Sequence, residues 1–229
     1  WAKLNYPQNS MAALKRAIEL GCECSEFDVH MTSDKVLVIC HDDGYGGTWI
    51  EQTPYAQLNK TKLANGEDLP ILSSFLAEAM KNRTTRLNLE IKPSIYKILR
   101  EQETVDSVVT LVHRMKAQAW VHYISWDYNG VLRVRKDDPT AFVGYLAGDK
   151  PPAQLKADGV NLNYSWDVIK NADSYLTDAL TLGLDISVWV VDDKNVMIAL
   201  LVKGVNSICT NQPELLMSLL GNETPLINK

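Results

Sequence analysis

Glu26-Phe27-Asp28, His41-Asp42 and Leu89-Glu90-Ile91-Lys92 hold the residue types in this chain best suited to polar chemistry. Each lies in or just after a run of β-formers. Strand alternation puts Glu26 and Asp28 on one face. In the third stretch it puts Glu90 and Lys92 on one face and Leu89 and Ile91 on the other. Three carboxylates brought to a common mouth suit a hard divalent cation, Ca2+ or Mg2+, where thiolate sites do not. An ammonium beside them would offset charge on a phosphoryl group. An imidazole, titrating near neutrality, would deliver a proton to a leaving group. Taken singly, each acidic residue reads equally well as a solvated strand end, and Lys92 as an ion-pair partner of Glu90. Their combination points to chemistry.

These residues must be positioned by alternating strands and helices. Asn9-Ser10 offers a cap for an apolar-striped helix from Met11 to Leu20, which Gly21 closes. Strands follow at Ser25 to Met31 and Val36 to Cys40, separated by the turn Thr32-Ser33-Asp34-Lys35. The segment 43–85 is the least regular and reads as an insertion or rim, opened by Gly44-Tyr45-Gly46-Gly47 and ending in a helix from Ser73 to Met80. A strand from Arg86 to Ile91 is closed by Pro93. Further strands are expected at Val121–Ser125, Ala141–Leu146, Val160–Asn163, Ile186–Val191 and Ser207–Thr210. Helices are expected at Glu103–Met115, Tyr128–Arg135, Ser174–Leu182, Val196–Val202 and Pro213–Leu220. This alternation implies a parallel sheet covered by helices, an α/β fold of the TIM (β/α)8 barrel type in a single domain spanning 1–229. The main strands come to one short of eight, and no apolar strand precedes the first helix. We therefore expect the first strand to lie upstream of Trp1, because a barrel lacking one stave exposes two strand edges.

With 229 residues and 46% hydrophobic content, the chain can bury a substantial core. A net charge of -5 argues against a nucleic-acid groove or an anionic-membrane surface. No apolar run approaches the roughly 20 residues needed to cross a bilayer, so no integral membrane segment is expected. The start at Trp1-Ala2-Lys3 reads as an internal cut, which leaves the cellular location open. Cys22 and Cys24 lie too close and too extended for an easy mutual bridge, and no histidine supplies zinc-site spacing. All four cysteines, with Cys40 and Cys209, are therefore expected as buried free thiols. Asn59, Asn82, Asn163 and Asn222 form sequons that matter only in a secreted eukaryotic protein. The glycines after His41 lack the strand–loop–helix setting and the lysine of a nucleotide-binding loop.

The chain resembles the glycerophosphodiester phosphodiesterase family. The resemblance runs through Asn9-Ser10 with Ala13 and Ala17, Glu26-x-Asp28-Val29, Thr32-x-Asp34, His41-Asp42, Asn65-Gly66-Glu67 with Leu69-Pro70, and Leu89-Glu90-Ile91-Lys92. Weaker echoes continue through Val143–Leu146, Val188-Trp189-Val190 and Gly204 to Pro213. The resemblance implies a TIM barrel that cleaves a small-molecule glycerophosphodiester to glycerol 3-phosphate and an alcohol, usually with a divalent cation. It makes Glu26, Asp28 and Glu90 the metal ligands, Lys92 a residue near the phosphate, and His41 the second catalytic histidine, a general acid toward the departing alcohol. It also implies attack by the substrate's glycerol hydroxyl, a cyclic phosphate, and opening of the cycle by water.

The family's first catalytic histidine, with its adjoining Arg-Gly, has no counterpart here and belongs on the strand expected upstream. His30 extends the Glu26 and Asp28 face but is a poor substitute. His113 and His122 read as structural. Val190, Asn206 and Asn211 depart from the residues common in relatives. Trp126, Trp166 and Trp189 lie at or near strand ends, and Trp126 and Trp189 are the candidates to hold the substrate's glycerol or alcohol part by apolar area. A related phospholipase or sphingomyelinase-D-like diesterase, and a non-catalytic barrel that binds a metal and a polyol, remain open at this stage. The oligomeric state is likewise open.

Overall fold

The computed structural model describes residues 6–96 and 98–222. The chain divides into two compact units, one through Gly144 and one from Tyr145.

The first unit opens with helix α1 (Met11–Leu20). Ser10 caps it by accepting the Ala13 N–H, and Gly21, left-handed at φ 72, returns its own N–H to Ala17 and Ile18 carbonyls. Strand β1 (Cys24–Met31) follows, then β2 (Leu37–Ile39), paired antiparallel to it with Val29 opposite Ile39. Two short strands, β3 (Gly44–Tyr45) and β4 (Thr48–Trp49), form a hairpin. Its two-residue turn puts Gly46 and Gly47 at φ 60 and 81, where a side chain is strained.

A one-turn helix at Ile50–Gln52 and the short helix α2 (Tyr55–Leu58) lead to α3 (Leu72–Ala79). Ile50, Leu58 and Leu69 bury themselves on Val38 of β2, so segment 43–85 carries an apolar cluster of its own. Strand β5 (Arg86–Ile91), helix α4 (Ile98–Arg114), strand β6 (Val121–Ser125), helix α5 (Tyr128–Asp137) and strand β7 (Phe142–Tyr145) complete this part. The sheet order is β7-β6-β5-β1-β2, with β1, β5 and β6 parallel.

The second unit contains helix α6 (Pro152–Ala157), strand β8 (Asn161–Ser165), helices α7 (Trp166–Asn171) and α8 (Asp173–Thr181), and strand β9 (Ile186–Trp189). Helix α9 (Lys194–Val202), strand β10 (Ser207–Ile208) and helix α10 (Pro213–Asn222) follow. β8, β9 and β10 are neighbouring parallel strands.

Repetition of strand and helix in both units is the α/β, (β/α)8-type alternation expected from the sequence. The first unit's core forms because Phe27, Val29, Leu87, Leu89 and Ile91 alternate onto the helix-covered face, each at most 2% exposed. Phe27 meets Phe75 of α3 with ring centroids 4.9 Å apart. Burying side chains of this size contributes about 1.5–3 kcal/mol each. That burial holds the opposite, polar face of β1 and β5 in fixed register.

All four cysteines are half-buried rather than fully buried, because each lies at a strand's end or just outside it. Among the described residues no helix is long and apolar enough to cross a membrane.

Candidate active site

Parallel pairing of β1 with β5 sets Asp28 opposite Glu90 and Glu26 opposite Asn88. Paired positions in neighbouring strands share a face, so Glu26, Asp28 and Glu90 converge. Ligand-capable oxygens from the three lie within 4.8 Å of one another. Lys92, just past β5, closes the group with Nζ 2.9 Å from Glu90 Oε1 and 3.3 Å from Asp28 Oδ1. The sequence-derived ion pair between Lys92 and Glu90 is therefore present, and Asp28 shares the same ammonium.

The electrostatics of this cluster follow from its burial. Asp28 and Glu90 are buried, while Glu26 is open to solvent. Burial, then repulsion from Asp28, raises the Glu90 carboxyl above the usual carboxylate range against the pull of Lys92. Enclosure by surrounding protein, then repulsion from Asp28 and Glu90, pushes Glu26 well above its ordinary value, with Lys92 again opposing. Burial disfavours the Lys92 ammonium, but Glu90 and Asp28 more than offset this and hold its pKa above the normal lysine value.

The residues fit a hard divalent cation. The donors are all oxygen, and Glu90 Oε1 is buried with the Lys92 ammonium 2.9 Å away but not well directed at it. Fully ionised, the three carboxylates and one ammonium would carry an excess of two negative charges, which the raised Glu26 and Glu90 carboxyls resist without a cation. A divalent ion bound by Glu26, Asp28 and Glu90 would balance it.

His41 follows β2 and is exposed, with Nδ1 2.8 Å from Asp42 Oδ1. The Cys40 N–H donates to the Asp28 carbonyl at 3.1 Å, which ties the approach to His41 directly to β1. His41 is close enough to Glu90 to favour that carboxylate electrostatically. His30 continues the polar face of β1 but is only 2% exposed and is hydrogen-bonded to the His41 backbone, and its Nε2 has no partner.

Trp126 follows β6 and is 42% exposed; the preceding Ser125 donates its hydroxyl to the Ile91 carbonyl at 2.7 Å. Within the second unit, Trp189 donates its indole N–H to the Asn163 carbonyl at 3.0 Å. His113 pairs with Asp138 at 2.7 Å, and His122 stacks on Phe142 with ring centroids 4.1 Å apart, both structural arrangements.

Two residues that support the cluster carry no site role in the sequence reading, where Asn9 counts only as part of a helix cap. Asn9, left-handed at φ 61, donates Nδ2 to Asp28 Oδ2 at 2.8 Å and accepts the Asp28 N–H at 3.1 Å. Glu67 accepts the N–H groups of Met11 and Ala12 at 2.8 and 3.0 Å. The one hint was that Asn9 and Glu67 each fall in a stretch carrying the family resemblance. No local period marks a contact made across 55 or 56 residues.

Fold and site together define an α/β protein of (β/α)8 type with an oxygen-donor cluster on its strands that could coordinate a divalent ion. Residues 2–215 match the Glycerophosphoryl diester phosphodiesterase family, and the chain belongs to it. A glycerophosphodiester phosphodiesterase of Caldanaerobacter subterraneus subsp. tengcongensis is 26% identical over 235 residues, covering 94% of this chain and 93% of that protein. The crystal structure of a glycerophosphodiester phosphodiesterase from Parabacteroides distasonis is 35% identical, with a TM-score of 0.93 over 98% of this chain and 94% of the other. A phosphodiesterase from Oleispira antarctica, solved with its product sn-glycerol-3-phosphate, shares the fold at 22% identity and a TM-score of 0.83, covering 95% of this chain and 92% of that one. Family membership makes the chain an enzyme of the phosphodiesterase class that acts on a small glycerophosphodiester.

Proposed function

We propose that the chain cleaves glycerophosphodiesters to glycerol 3-phosphate and an alcohol, with Glu26, Asp28 and Glu90 holding the cation and His41 and Lys92 acting on the substrate. The observation that carries this reading is the convergence of three carboxylates within 4.8 Å beside a single ammonium. The cation is calcium or magnesium, and three carboxylates match the larger oxygen complement of calcium more closely. When bound, it would polarise a phosphoryl oxygen as a Lewis acid.

Lys92 is held charged by its two carboxylate neighbours, and its ammonium offsets charge gathering on the phosphoryl oxygens. His41 uses Nδ1 on Asp42, which fixes the ring and leaves Nε2 to meet the oxygen of the departing alcohol. Exposure of His41 suits transfer to a leaving group that must diffuse away. Trp126 offers the alcohol an apolar surface. The product bound to the Oleispira antarctica relative is the one this reaction would release.

The test is release of choline and ethanolamine from glycerophosphocholine and glycerophosphoethanolamine, with calcium or magnesium supplied after chelation. We expect metal-dependent turnover that falls by about 10²–10⁴-fold in His41→Ala, the usual worth of a positioned acid. Turnover unchanged in that variant would remove His41 from the mechanism. Metal binding without turnover would instead favour a binding protein built on the same fold.

A further inference from the structure

We propose that Glu67 is a positioning residue for the metal cluster, acting through the first turn of α1 and Asn9 on the Asp28 carboxylate. The inference rests on the reading of Glu26, Asp28 and Glu90 as metal ligands.

The geometry forms a continuous path. Gly66 is left-handed at φ 84, and the loop is closed by the Leu63 N–H donating to the Glu67 carbonyl at 2.9 Å and the Gly66 N–H donating to the Leu63 carbonyl at 2.8 Å. Asn65 pins the Glu67 side chain by donating Nδ2 to Oε1 at 2.9 Å, and its own Oδ1 accepts the Glu67 N–H at 3.2 Å. The fixed carboxylate then straddles the helix start, Oε2 taking the Met11 N–H and Oε1 the Ala12 N–H. Ser10 Oγ takes the next, from Ala13, at 3.0 Å. Three successive N–H groups of the first turn are thus satisfied, two of them by a charge that complements the helix dipole.

Asn9 stands immediately before this turn in a left-handed conformation that few side chains tolerate. Its amide grips Asp28 at both the side chain and the backbone N–H. Asp28 Oδ2 is therefore held by Asn9 while Oδ1 faces Lys92, which sets the carboxylate plane presented to Glu26 and Glu90. A cap serving helix stability alone would not require the residue before Ser10 to hold a ligand from both sides. Partners that orient metal ligands in this way govern affinity as well as geometry.

Calcium and magnesium binding by isothermal titration calorimetry, read beside urea-unfolding midpoints, tests the proposal. Glu67→Ala is expected to weaken metal binding about tenfold, within the range for residues that orient ligands. Glu67→Gln, which keeps one acceptor and safeguards against a variant that fails to fold, should lose less. Asn9→Gly keeps the left-handed backbone and removes the amide, so it should weaken binding at least as much. If Glu67 works through Asn9, the double variant binds no more weakly than Asn9→Gly alone. Gly21→Ala strains the other end of α1 at φ 72 with no atom in its way, and should lower stability while leaving metal affinity unchanged.

Should both Glu67 variants lose stability but bind metal like the wild type, Glu67 is only a cap and the proposal is wrong. Losses that multiply in the double variant would equally overturn a path through Asn9. Failure of the wild type itself to bind either ion would overturn the metal-ligand reading and this proposal with it.

Discussion

Replacing Glu90 by Gln separates a carboxylate kept for metal from one kept for its ion pair with Lys92. Two opposed terms set the cost without metal. At an effective dielectric of about 20, attraction across the 2.9 Å Lys92 contact is about 6 kcal/mol, and repulsion between carboxylates at the 4.8 Å limit is about 3.5 kcal/mol. Repulsion from Glu26 adds to this but is partly screened, because its side chain is exposed. The substitution also recovers several kcal/mol of desolvation that the buried Glu90 charge incurs. These contributions nearly cancel, so metal-free Glu90→Gln should lie within about 2 kcal/mol of the wild type.

With metal the balance changes. Wild type at a hundredfold excess of ion over its dissociation constant gains about 2.7 kcal/mol, or about 5–11 °C for a chain of this size. The variant, short of one charged ligand, should gain little of this. Thermal melting of both proteins with chelator and then with calcium or magnesium measures the difference. A variant that melts far below the wild type in chelator would show Glu90 to be a structural ion-pair partner. Identical metal-induced shifts in the two proteins would show that Glu90 is no ligand.

Burial holds His122 to a pKa of about 4, below its value in the unfolded chain, so the folded state binds fewer protons and stability is lost as pH falls from about 6.5 toward 4. His122→Phe, which preserves the stack on Phe142, should narrow the difference between urea midpoints at pH 7 and pH 5. Gly46→Ala places a methyl 2.5 Å from Thr61 Oγ1 at φ 60 and should cost about 1–2 kcal/mol from conformation alone, read from the same unfolding curves.

The seven main strands were legible because β-formers recur with clear punctuation, and the β1 and β5 alternation correctly assigned both faces. Boundaries shifted by several residues at most, largest for α4, which begins at Ile98 rather than Glu103. Helix α6 was not expected because Pro151-Pro152 reads as a break, although proline is well tolerated in a helix's first turn. Helix α7 starts directly after β8 on a Ser165 cap, leaving no linker to mark the change. β3 and β4 are two residues each, too short for any period to show. Convergence of Glu26, Asp28, Glu90 and Lys92 could be anticipated from their faces. What could not be read was the support behind it, because the Glu67 and Asn9 contacts depend on how distant backbones meet.

That support explains how the fold tolerates its own acidity. Repulsion would drive three neighbouring carboxylates apart if their backbones were free, and one lysine cannot neutralise them. β1 and β5 instead lock Asp28 opposite Glu90 by ladder hydrogen bonds, and the apolar side chains on the reverse face supply the energy that holds this register. Asn9 fixes one edge of Asp28, and Lys92 bridges Asp28 to Glu90. The crowding of carboxylates is thus maintained by packing rather than relaxed by movement, and it shows in the raised Glu26 and Glu90 carboxyls. A site organised in this way attracts a dication strongly. Without that dication it would repel a phosphodiester anion, so on the proposed reading the metal binds before the substrate as well as aiding the chemical step.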